Sequence, residues 1–64
     1  MSQLEQRLSP REREIMRLRA RGGTRKEIAN LIGISPHTVR SHLERVFLKT
    51  GARSSLEAVH RLAA

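Results

Sequence analysis

The side chains able to do chemistry are few: three histidines, six glutamates, and neither cysteine nor aspartate. His37 and His42 lie five positions apart, which on a helix points them about 140° away from each other, so they cannot share one metal ion. With thiolates and aspartates missing, a closed metal site lacks ligands, and no metal or other cofactor is expected. Every glutamate has a helix-cap or surface explanation, so no Ser-His-acid arrangement forms and no catalytic residue is assigned. Gly22-Gly23 follows no strand, which makes it a helix stop rather than a phosphate loop. The chain is not read as an enzyme.

The remaining chemistry is that of recognition, and it concentrates between Pro36 and Thr50. Set at 100° per residue, Val39, Leu43, Val46 and Phe47 fall in one apolar arc that must face a core. The opposite arc carries His37, Ser41, Glu44, Arg45 and Leu48, with Arg40, Thr38 and His42 on its shoulders. Arginine pairs bidentately with guanine, serine is permissive, and glutamate accepts from the cytosine amino group. A helix lying in a major groove presents mainly its N-terminal half to the bases. That favours Arg40, Ser41 and Glu44 for base edges and leaves Arg45 and Lys49 for phosphate. A polar face that is merely solvated is the plain alternative. Glu44 also has a second reading, pairing with Arg40 one turn before it and holding that guanidinium in place.

Several elements must position this face. Ser9-Pro10-Arg11-Glu12 is a capping box with proline at the first helical position, and Ile15, Met16 and Leu18 follow before Arg21-Gly22-Gly23 ends the run. Thr24-Arg25-Lys26-Glu27 is a second box, leading into Ile28, Ala29, Leu31 and Ile32 and stopping at Gly33. Only Gly33-Ile34 separates that helix from Ser35-Pro36, so the third helix leaves at a steep angle and runs to Thr50 before Gly51. Ser54-Ser55-Leu56-Glu57 is one more capping box, opening a short last helix to the C-terminus. No alternating strand pattern occurs. The expected fold is all-α: a three-helix core plus a short C-terminal fourth helix, with residues 8–64 as the domain and 1–7 as a frayed lead. A short helix, a tight turn with glycine and a longer helix together form a helix-turn-helix. The starts of its two helices carry partial positive charge and unpaired amides suited to an anion. This places Thr24, Arg25 and Lys26 at one phosphate clamp and Ser35, His37 and Thr38 at the other, with capping as the first duty of Thr24 and Ser35.

Composition points the same way. Thirteen Lys and Arg against six acidic residues give +7 over 64 residues, a density that implies a polyanionic partner. A chain this short buries only ~60% of its unfolded surface, which allows one small core and excludes an enclosed substrate cavity for most chemistries. No apolar run approaches a membrane span, and Met-Ser-Gln-Leu-Glu lacks the basic-then-apolar pattern of a signal peptide. The expectation is a soluble cytoplasmic module with no membrane partner.

Leu8-Ser9-Pro10-Arg11-Glu12-Arg13-Glu14-Ile15-Met16, Lys26-Glu27-Ile28-Ala29, Leu31-Ile32-Gly33-Ile34-Ser35, His37-Thr38-Val39-Arg40-Ser41-His42-Leu43 and Ser54-Ser55-Leu56-Glu57-Ala58-Val59 together resemble the LuxR-type helix-turn-helix. This is the DNA-binding module at the C-terminus of many bacterial response regulators and quorum-sensing regulators. The resemblance runs over about residues 8 to 63. It implies a four-helix fold, sequence-specific binding of double-stranded DNA to control transcription, and a place at the bacterial nucleoid. It further implies base contacts from Arg40, Ser41 and Glu44, and backbone contacts from Thr24, Lys26, Thr38, His42 and Lys49. Departures occur at Glu44, where the family commonly has a basic or polar residue, at Leu48, where a basic residue is usual, at Thr50 in place of leucine, at Arg19 in place of an apolar residue, and at Ser55 in place of arginine.

On the fourth helix, apolar and small residues cover more than half the circumference. The surplus over one docking stripe suggests weak self-association through Leu56, Val59, His60 and Ala63, which would set two reading heads on one face of a duplex. RNA polymerase is a further implied contact for a transcriptional module. Two other readings compete: a basic four-helix protein-interaction module, and a sigma-factor region 4-like promoter-binding domain, against which the capped helix at Ser54 argues.

Overall fold

The computed structural model describes residues 3–63 and, among them, contains helices only. They are α1 (Gln3–Gln6), α2 (Pro10–Ala20), α3 (Arg25–Ile32), α4 (Pro36–Thr50) and α5 (Ser55–Ala63). The last four are the helices expected from the sequence, and α2, α3 and α4 stop where expected.

The caps account for these boundaries. Ser9 Oγ accepts from Glu12 N at 3.1 Å while Glu12 Oε1 accepts from Ser9 N at 2.8 Å. Thr24 and Glu27 make the same reciprocal pair at 3.1 and 2.9 Å. Each box satisfies two of the amides a helix start leaves without intrahelical partners. Ser54 Oγ accepts from Glu57 N at 3.2 Å, but the Glu57 carboxylate accepts from Arg61 Nε and Nη2 at 3.2 and 3.0 Å. Gly33 ends α3 with φ +74°, a conformation that costs a Cβ-bearing residue free energy, and this residue turns the chain from α3 into α4.

Leu8, Ile15, Met16, Ile28, Ala29, Val39, Leu43, Val46, Ala52 and Ala58 form one buried cluster drawn from all four long helices and their connections. α4 is the central element, packed against α2, α3 and α5. Its apolar arc is placed as expected for Val39, Leu43 and Val46, whereas Phe47 is only half-buried and Thr50 takes the inner position. The buried Thr50 hydroxyl donates to Val46 O at 2.8 Å and accepts from Ala52 N at 3.3 Å, which ties the end of α4 to the turn that follows. Leu31, in the expected apolar run of α3, is exposed.

The N-terminal segment differs from the frayed lead expected over residues 1–7. Residues 3–6 form α1, which packs on α5, and Glu5 Oε1 lies 3.6 Å from Arg17 Nη2. Leu8, buried in the core, anchors this segment where it enters the domain. Residues 1, 2 and 64 lie outside the described residues.

Candidate nucleic-acid interface

Because Val39, Leu43, Val46 and Thr50 turn one side of α4 inward, the helical period turns Arg40, Glu44 and Arg45 to solvent. Arg40 Nε donates to Glu44 Oε1 at 3.1 Å across one helical turn, so the pairing reading of Glu44 holds in the free protein. Both side chains remain about 60% exposed, which makes the pair a positioning device of little energetic weight. Ser41 is half-buried, and its Oγ donates to His37 O at 3.2 Å. Leu48, near the end of the same face, is 85% exposed.

Two helix starts adjoin this face. At α4, Ser35 Oγ caps the helix by accepting from Thr38 N at 3.1 Å and lies 2.9 Å from Thr38 Oγ1, so the two hydroxyls hydrogen-bond to each other; His37 beside them is exposed. At α3, Thr24, Arg25 and Lys26 are all exposed. Hydrogen bonds from the Thr24 backbone N–H and then its side chain hold the Glu27 carboxyl below its usual range, so the α3 cap carries an anion of its own. A cleft of about 290 Å³ sets Arg25 of α3 beside Arg40 and Glu44 of α4.

Two of the expected phosphate contacts sit differently. Lys49 Nζ is 2.7 Å from Glu12 Oε1, joining the end of α4 to the start of α2. Its ammonium has an internal partner that the sequence pattern did not reveal, because the two residues are 37 positions apart. Burial pushes the Glu12 carboxyl up, but hydrogen bonds from Lys49 and the Ser9 backbone outweigh it and hold the group below its ordinary value. His42 is half-buried, and its Nδ1 is buried without a hydrogen-bond partner among the described residues. Arg19, noted from the sequence only as a departure, borders the cleft that contains Arg25 and Arg40.

On α5, Leu56, His60 and Ala63 are exposed while Val59 packs partly against the core. Leu8, Met16, Ala20, Val59, Leu62 and Ala63 line a shallow apolar groove of about 190 Å³ between α2 and α5. Among the described residues no group of three or more potential ligands could hold a metal ion, and no helix is long and apolar enough to cross a membrane.

A short capped helix, a glycine turn and a longer helix with an outward basic face define a helix-turn-helix module of the DNA-binding type. The family model GerE, bacterial regulatory proteins of the luxR family, matches residues 6–62. The chain belongs to that family, and its domain is a DNA-binding module of transcription regulation. It is 40% identical over 55 residues to the spore germination protein GerE of Bacillus subtilis, covering 86% of this chain and 74% of that protein. It is 43% identical over 53 residues to the transcriptional regulatory protein TdiR of Thauera aromatica, covering 83% of this chain and 23% of TdiR. With the transcriptional regulatory protein UhpA of Salmonella typhimurium it shares 38% over 55 residues, covering 86% of this chain and 28% of UhpA. The chain thus spans under a third of TdiR and UhpA, and only 6% of a Mycobacterium bovis relative that is 39% identical over 56 residues. No solved structure matches it.

Proposed function

We propose that this chain recognises a specific double-stranded DNA sequence by laying α4 in the major groove, and that transcription is regulated through that contact. The observation that carries the reading is the outward face of α4, where Arg40, Glu44 and Arg45 are exposed next to the capped starts of α3 and α4. Arg40, Ser41 and Glu44 meet base edges. Arg40 gives Nε to Glu44, and its outer Nη pair is the fork that matches guanine O6 and N7. Ser41, though back-bonded to His37, keeps an oxygen able to accept. Thr24, Arg25, Lys26, Ser35, His37, Thr38, His42 and Arg45 grip the backbone. Lys49 joins them by releasing Glu12, which makes it the most costly contact of the set.

The domain performs no catalysis and takes no cofactor in this reading; its ligand is DNA. Two copies associate weakly through α5, with Leu56, His60, Ala63 and the outer side of Val59 at the contact, so that two α4 helices meet successive half-sites. The small area available keeps this association transient away from DNA. RNA polymerase is the further partner, and the protein works in the bacterial cytoplasm at the nucleoid.

Selection of bound duplexes from a random pool at ~0.15 M salt tests the reading. The expected result is one enriched motif with a guanine whose identity ceases to matter in Arg40→Ala. Equal loss of affinity for selected and random duplexes in Arg40→Ala would remove Arg40 as a base reader. An absence of DNA binding at any salt, with capture of an acidic protein partner, would favour the interaction-module reading.

A further inference from the structure

The cleft that holds Arg25 and Arg40 has a third cationic wall that neither the resemblance nor the site already described assigns. Arg19, from the last turn of α2, lines it together with Arg25, Arg40, Glu44, Phe47 and Ser55. Four helices therefore meet there, bringing three guanidinium-bearing residues against one carboxylate, and that carboxylate is paired with Arg40. Like charges gathered in a cleft repel one another unless an anion enters.

Arg19 is not a loose surface side chain. Its Nη1 donates to Gly23 O at 2.7 Å, and its Nε is buried without a hydrogen-bond partner among the described residues. The guanidinium of this half-buried residue is thus held against the turn after α2, with one buried N–H left unsatisfied. Ser55, which also lines the cleft, is the first residue of α5, whose Ser54 cap accepts from Glu57 N. The partial positive charge of that helix start falls on the same cleft.

We propose that this cleft is a binding site for one DNA backbone phosphate, with Arg19 as its principal cation and the start of α5 as its second wall. The inference rests on the DNA-binding reading above, because Arg40 on the cleft rim is the proposed base reader and the strand edging the major groove must pass beside it. It adds α2 and α5 to an interface otherwise built from α3 and α4. With Nη1 already given to Gly23 O and Nε buried, Nη2 and the second Nη1 hydrogen are the donors Arg19 presents to a phosphate.

The test is the salt dependence of duplex binding by the 64-residue chain and three variants, Arg19→Gln, Arg19→Lys and Ser55→Asp. One lost phosphate contact lowers the slope of log affinity against log salt by about 0.9, which is about fivefold in affinity between 0.15 and 1 M. Arg19→Gln is expected to show that change equally on the selected and a random duplex, whereas Arg19→Lys keeps the slope. Ser55→Asp is expected to weaken binding while leaving or raising Tm, because an acidic residue suits a helix start. A merely structural Arg19 would instead lower Tm in both Arg19 variants and leave the slope alone. Wild-type slopes in Arg19→Gln and Ser55→Asp overturn the proposal. So does a cleft that takes free inorganic phosphate, read as a rise in Tm, with no effect of these variants on DNA. Should Arg19→Gln fail to fold, Ser55→Asp decides by itself. Failure of the DNA-binding reading looks different: the wild-type chain then binds no duplex at all.

Discussion

Replacing Glu12 with glutamine removes one charge from the centre of a contact that ties two ends of the domain together. Glu12 has a side chain 3% exposed and receives Lys49 Nζ at 2.7 Å and Ser9 N at 2.8 Å. Glutamine retains the shape and an acceptor oxygen for the cap, so the loss is confined to the charged hydrogen bond. Hydrogen bonds to charged groups contribute about 1.5–3 kcal/mol. The lower end applies, because the Lys49 side chain is 38% exposed and regains water when released. The expected cost is about 1.5 kcal/mol at pH 7, or a fall in Tm of about 6–12 °C for a domain of this size. Thermal melts followed by circular dichroism from pH 7 to pH 2.5 measure it. The folded carboxyl titrates below its ordinary value, so wild type holds its full advantage above an unfolded pKa of about 4.3 and loses it as pH falls through the folded pKa. The two melting curves therefore converge in acid. A Tm gap that persists undiminished at pH 2.5, or no gap at pH 7, would refute the claim that charge pairing, rather than packing, is what Glu12 contributes.

Other perturbations probe separate parts of the structure. Gly33→Ala forces a Cβ into φ +74° with nothing nearby to clash, so pure backbone strain should cost about 1 kcal/mol by urea denaturation. Thr50→Val keeps the volume but leaves the Ala52 N–H without its side-chain acceptor, an expected loss of about 1–2 kcal/mol in the same assay. Leu56→Asp places a charge on a side chain that is 69% exposed, so it should leave Tm nearly unchanged while abolishing cooperative binding to a two-half-site duplex. Unchanged cooperativity in a gel-shift titration would remove α5 from the pairing surface.

The helices and their limits were readable from local chemistry alone. Ser9 with Glu12, Thr24 with Glu27, and the glycines at 33 and 51 act within one turn of chain, so sequence neighbours suffice to place α2, α3 and α4. The helical period likewise separated Val39, Leu43 and Val46 from Arg40, Glu44 and Arg45. α1 was missed because its four residues carry no periodic pattern, and its packing on α5 joins opposite ends of the chain. Phe47 was placed fully inward by a rule that knows angles but not the neighbouring helices. They leave it on the flank and give the inner position to Thr50, whose hydroxyl is satisfied by its own backbone.

The same division runs through the site. Spacing along one helix determined which residues of α4 look outward, and the capping residues determined where two helix starts would lie. Only the tertiary structure decided that Lys49 answers a buried carboxylate 37 residues away and that Arg19 shares a cleft with Arg25 and Arg40. Local signals are written by hydrogen bonds and periodicity that repeat every turn. The partners of long charged side chains depend on how helices cross, and no local pattern in the sequence encodes that.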